Sequence, residues 1–147
     1  MATNIENELK VLMKKGVHVE KINGSASQLL VYIPGPKGSD YDGAHTWWQL
    51  VIPESYPNLA PALFSVTKNG AALPHPNLHT DTAARNEQRL CIAQLRNWPP
   101  GGRTLNEITK LIEEFLKTPN WEDANPAGNI TKQNLKALVT AWTATQA

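Results

Sequence analysis

Between residues 4 and 15 the apolar side chains return every three to four positions. Ile5, Leu9, Leu12 and Met13 share one face of a helix, with charged residues between them. Asn4 stands where a capping side chain is wanted, and Gly16 where the chain turns left-handed past the helix end. The period then changes. "QLLVYIPG" and "HTWWQLVIP" are rich in β-branched and aromatic residues, and the "PKGSDYDG" between them is dense in turn formers. A third such run, "ALFSVT", follows the proline-punctuated "PESYPNLAP". Links this short predict an antiparallel meander of three to four strands, because parallel crossovers need far more chain.

From Pro74 to Gly102 neither period is sustained, so the pattern predicts a long loop in which "LCIAQL" is at most a short extended segment. A loop of that length is usually functional or disordered. Within it the polar "TDTAARNEQR" predicts an exposed flap over 78–89. Helical periodicity returns at "TLNEITKLIEEFLKTPN". Thr104 and Glu107 have capping-box spacing, Leu105, Ile108, Leu111, Ile112, Phe115 and Leu116 form one apolar face, and Pro119 closes the helix. A last helix carries Ile130, Leu135, Leu138, Val139 and Trp142 for packing. The order of helix, strands, long loop and two C-terminal helices predicts one α+β domain over residues 1–147.

Composition narrows the function classes. A net charge of +1 shows no commitment to nucleic acid or to an anionic membrane. No run approaches the ~18 apolar residues of a membrane helix. "MATNIENELK" is acidic where a secretory signal is basic and then apolar. The chain therefore reads as a soluble cytoplasmic protein. Its one cysteine, Cys91, cannot staple it to itself.

Three chemistries compete for that cysteine. Free cysteines are often buried small hydrophobes, and the apolar flanks Leu90 and Ile92 suit this. A zinc site would draw on His75, His79, Asp81 and Cys91. Pro76 interrupts the helix that would aim both imidazoles at one metal, and no second cysteine helps, so no metal is expected. A nucleophile would pair Cys91 with His75 or His79 and with Asn77 or Asn97. "RNWPPGG" does not read as a helix that would activate the thiol from below. Unassisted, a cysteine with a pKa of about 8.5 is only a few per cent thiolate at neutral pH. That suffices where the substrate is itself a thioester, since thiol exchange is nearly isoenergetic.

Five motifs in order then resemble one family. They are "GPKGSDYDGAHTWWQLVIPESYPNLAP", "HPNLH", "LCI", "RNWPP" and "TLNEITKLIEEFLKTPNWEDANP", together spanning most of residues 4–127. This pattern is similar to that of the ubiquitin-conjugating enzymes. The resemblance implies that Cys91 accepts the C-terminus of a ubiquitin-like modifier from an activating enzyme as a thioester. The acyl group then passes to a lysine of a protein target, in some cases with a ligase. It implies that Asn77 donates to the oxyanion or holds the loop in shape, and that Asp123 orients the lysine and helps deprotonate it. Without the resemblance Asp123 reads as a solvated loop carboxylate. His75, Pro76 and Trp98 would organise the loop, and Asn4, Glu8 and Lys15 on the first helix would meet protein partners. The family needs no cofactor, and a monomer suffices. Two departures stand out: the link from Asn77 to Cys91 is longer than usual, and Ala93 stands where many members carry aspartate. Such divergence suits a bacterial or otherwise remote member with a dedicated activating enzyme. A non-catalytic scaffold of the same fold is the alternative, and a Cys–His–Asn hydrolase a further one.

Overall fold

The computed structural model describes residues 5–67, 71–79, 87–90, 92–124 and 129–146. The first helix, α1 (Ile5–Lys14), buries Leu9 and Leu12. Met13, expected on the same face, is 58% exposed. One residue advances a helix by about 100°, and Leu12 already occupies the core position. Gly16 takes φ +84°, the left-handed turn that ends the helix.

Four strands form the meander: β1 (Val19–Ile22), β2 (Ser25–Pro34), β3 (His45–Val51) and β4 (Ala62–Val66). Two more follow, β5 (Leu78–His79) and β6 (Glu87–Leu90), and the sheet order is β1-β2-β3-β4-β6-β5. The meander of three to four strands is therefore extended to six. "VEKI" and "EQRL" are short and charged, so neither carries an alternating signal. Alternation does set the faces of the longer strands. Leu29, Val31 and Ile33 of β2, Trp48 and Leu50 of β3, and Leu63 of β4 all point into the core.

Helix α3 (Leu105–Lys117) lies across that core, burying Leu105, Ile108, Ile112, Phe115 and Leu116. Burying each such side chain contributes about 1.5–3 kcal/mol. Trp48 meets Phe115 edge-on, ring centroids 6.3 Å apart. The Thr104–Glu107 capping box forms as expected. A second cap comes from far away in sequence: Glu8 Oε1 accepts from Leu105 N at 2.7 Å and from the Tyr56 hydroxyl at 3.0 Å.

Helix α4 (Leu135–Thr145) buries Leu135, Val139 and Trp142, and Trp142 Nε1 donates to Ala71 O at 2.8 Å. Leu138, expected to pack, is left exposed on its outer side. Among the described residues no helix is long and apolar enough to cross a membrane.

Candidate active site

The residues that follow β4 enter the site through a buried anchor. His75 is 2% exposed and stacks on Phe115, ring centroids 3.8 Å apart and planes within 8°. Its Nε2–H donates to Phe115 O at 2.8 Å, one of the carbonyls that the last turn of α3 leaves open. Its Nδ1 accepts from Asn77 N at 3.0 Å. Tyr41 stacks on the same imidazole at 5.5 Å and donates its hydroxyl to Pro74 O at 2.5 Å. Gly35 makes room for this arrangement, because a Cβ there would lie 1.6 Å from Tyr41 O. Burial pushes the imidazole pKa down to about 4. His75 is thus neutral with both nitrogens engaged, and it has none left for a metal or a thiol proton.

Two residues on, Asn77 faces outward and bridges to a second loop. Its Nδ2 donates to Asn120 O at 2.9 Å and to Asp123 O at 3.2 Å. Its Oδ1 accepts from Asn120 N at 2.8 Å. These bonds hold the 3-10 turn Trp121–Asp123, whose start is capped by Asn120 Oδ1 accepting from Glu122 N. Asp123 itself is exposed.

The opposite side is built differently. Helix α2 (Ala93–Arg96) is a single turn with no fully buried residue, and Ile92, the residue before it, supplies no side-chain cap. The long loop of 74–102 thus holds two short strands and a helical turn, and "LCIAQL" is not one extended segment: β6 ends at Leu90 and α2 begins at Ala93. Four residues are too few to show a 3.6 period, and "RNWPPGG" begins only at the helix end. Beyond it Trp98 Nε1 donates to Pro57 O at 2.6 Å. The same proline is pressed by Gly102, where a Cβ would lie 2.0 Å from Pro57 O.

The 78–89 segment is also corrected at its ends. Leu78 pairs with Leu90 and both are buried, so the exposed-flap expectation does not hold there. Residues 80–86, including Asp81, lie outside the described residues, as do Asn4, Cys91 and the side chain of His79.

Between these two sides runs a groove of about 370 Å³. Asn77, Asn120 and Asp123 form one wall, while Ile92, Ala93, Gln94 and Arg96 form the other. Leu111, Glu114 and Phe115 of α3, with Thr118 just past its end, make its floor. Ile92 and Ala93 are the two residues that follow Cys91 in the chain. Of the expected site residues, Asn77 and Asp123 therefore share this groove, and His75, Pro76 and Trp98 do not line it. Glu8 directs its carboxylate inward to cap α3, whereas Lys15 is exposed. Gln94, Arg96, Glu114 and Asn120 were not singled out by sequence. Only Asn120 had a signal, inside the quoted "TPNWED".

A family model described as ubiquitin-conjugating enzyme matches residues 2–143. The chain belongs to the ubiquitin-conjugating enzyme family. It is 30% identical to "Ubiquitin-conjugating enzyme E2 N" of Macaca fascicularis, across 87% of this chain and 81% of that protein. It is 27% identical to "Ubiquitin-conjugating enzyme E2 5" of Arabidopsis thaliana, across 80% of this chain but only 60% of that longer protein. Among solved structures, the E2 domain of a Toxoplasma gondii ubiquitin conjugating enzyme superposes with a TM-score of 0.76 at 28% identity. That match covers 97% of this chain and 96% of the other. In this ubiquitin-conjugating fold, β6, α2 and α3 bring the residues flanking Cys91 against the turn that Asn77 holds.

Proposed function

We propose that this protein carries a ubiquitin-like modifier as a thioester on Cys91 and transfers it to a lysine amine of a protein target. The observation that carries the reading is the shared groove, where Ile92 and Ala93, next in chain to Cys91, face Asn77 and Asp123. Loading is thiol exchange with an activating enzyme's thioester and needs no strong base. Discharge breaks the C–S bond as the amine forms a C–N bond, and the ammonium must first lose a proton.

The roles follow from the bonds already described. Both hydrogens of the Asn77 amide are committed to Asn120 O and Asp123 O, which favours Asn77 as a clamp on the Asp123 turn over a direct oxyanion donor. Asp123 orients the incoming ammonium and stabilises it until the proton leaves. His75 braces both loops from behind through Phe115 O and Asn77 N. The exposed side of α1, with Lys10, Val11 and Lys14 beside Lys15, is the docking face for partner proteins. The protein works in the cytoplasm without a cofactor.

The test is intact mass after incubation with an activating enzyme, ATP and ubiquitin. A thiol-sensitive adduct is expected on the natural chain, a thiol-resistant ester on Cys91→Ser, and none on Cys91→Ala. A thiol-sensitive adduct surviving in Cys91→Ala would take this residue out of the mechanism, and no adduct on the natural chain would favour the scaffold.

A further inference from the structure

Glu114 lies on the solvent side of α3, one turn before its end, and no motif in the sequence draws attention to it. It lines the groove together with Asp123. Thr118 Oγ1 donates to Glu114 Oε1 at 3.1 Å, which limits where the carboxylate can swing. Among the described residues neither carboxylate has a counter-ion, for the two ion pairs present are His18–Glu20 and Lys21–Glu6. The groove's apolar lining comes from Leu111 and Phe115 of the floor and Ile92 of the α2 wall. Arg96 on the α2 wall is the groove's cation, and it too has no ion-pair partner among the described residues.

A groove that holds apolar lining beside two carboxylates with no ion-pair partner among the described residues is complementary to one kind of nucleophile: an ammonium at the end of an alkyl stem. A lysine side chain buries its methylenes and keeps its charge at a polar rim. We infer that Glu114 is a specificity-determining residue. With Asp123 it draws a charged, long-stemmed amine to the thioester in preference to uncharged nucleophiles, and Arg96 opposes it. The inference rests on the carrier reading above. Glu114 takes no part in bond making. It raises the local concentration of the ammonium, whose nitrogen attacks the thioester carbonyl after losing its proton, with the Cys91 thiolate leaving.

The experiment uses the full chain, loaded by exchange with a ubiquitin α-thioester of a small thiol, so that no activating enzyme is needed. Single-turnover discharge is followed with free lysine and, separately, with hydroxylamine, which is uncharged at neutral pH. One exposed charge is worth about a two- to five-fold change in rate at subsaturating lysine. Glu114→Gln is expected to slow lysine discharge by about that factor, and Arg96→Gln to speed it. Both should leave hydroxylamine discharge unchanged. Glu114→Asp should recover most of the loss, and high salt should erase the differences, since exposed charges are screened. Equal slowing of both nucleophiles, or an effect insensitive to salt, would show Glu114 to be structural and overturn the inference while the carrier reading stands. If the natural chain accepts no acyl group at all, both fall together.

Discussion

On one side of the groove, Asn77 in the wall and the buried His75 direct side-chain hydrogen bonds to parts of the chain 43 and 40 residues away. On the other wall, α2 holds itself by local backbone bonds and only half-buries Leu95 against the core. The wall that carries Asn77 is thus tied to distant parts of the chain by side-chain bonds, while the α2 wall meets the core through the half-buried Ile92 and Leu95. The difference suits the two steps of the proposed reaction. Lysine capture needs a fixed carboxylate near the thioester, since small misplacements of reacting groups are costly. In that reaction the thiol side would admit first a bulky thioester partner and then a modifier, and local openings are drawn from weakly packed segments.

The sharpest way to break this contrast is at His75. His75→Ala removes a stacked, doubly bonded core side chain, and should cost about 3–4 kcal/mol. Thermal denaturation should record a fall of about 10 °C in Tm for a chain of this size. His75 also sets an acid limit. Its ordinary value is 6.5, and in the folded protein it is about 4. Between those values the unfolded chain binds a proton that the folded chain refuses. Stability is therefore full above about pH 6.5 and falls as pH drops towards 4, by about 3 kcal/mol in all. Urea titrations of His75→Gln across this range should show a shallower acid limb than the natural chain.

At Asn77 the expected loss is kinetic. Asn77→Ala should load normally and discharge onto lysine about 10²-fold more slowly. If it works by holding the Asp123 turn, Asn77→Ala combined with Asp123→Ala should be little worse than the more damaging single change, because the two act as one unit. Additive losses in single-turnover discharge would instead return Asn77 to the oxyanion. Hydrogen exchange adds a separate check: Asn120 N–H should lose protection in Asn77→Ala and keep it in Asn77→Asp, which retains the acceptor.

A smaller effect is expected below the groove. Glu8→Ala removes the tertiary cap from α3 and should cost about 1–2 kcal/mol in chemical denaturation. Glu8→Gln, which keeps an acceptor oxygen, should cost less. The smallest belongs to α2. Ala93→Gly in that exposed turn should change global stability by less than about 1 kcal/mol. A larger change would show α2 to be as firmly tied as its opposite wall.

How far sequence reached follows the same division. Helix α3 was legible because a capping box, a six-residue apolar face and a closing proline all agree. The central strands were legible because their aromatic and β-branched runs alternate. Helix α2 and strands β1 and β6 were not, since four residues carry no usable period. The motifs around His75, Asn77 and Asp123 could be recognised in order, but their bonds could not be read. Which atom Asn77 meets is decided by a fold that closes 43 residues of chain. The cap that Glu8 places on Leu105 spans 97 residues, and a glutamate in an N-terminal helix gives no hint of it.

That cap also makes a spacer. The start of α3 is fastened to α1 by Glu8, and its other end forms the groove floor at Glu114, Phe115 and Thr118. At 1.5 Å per residue, the 13 residues of α3 make a strut about 20 Å long. In the proposed reaction, a protein gripping α1 at that cap would lie roughly that far from the groove floor, so the length of one helix would set the reach asked of a loading partner.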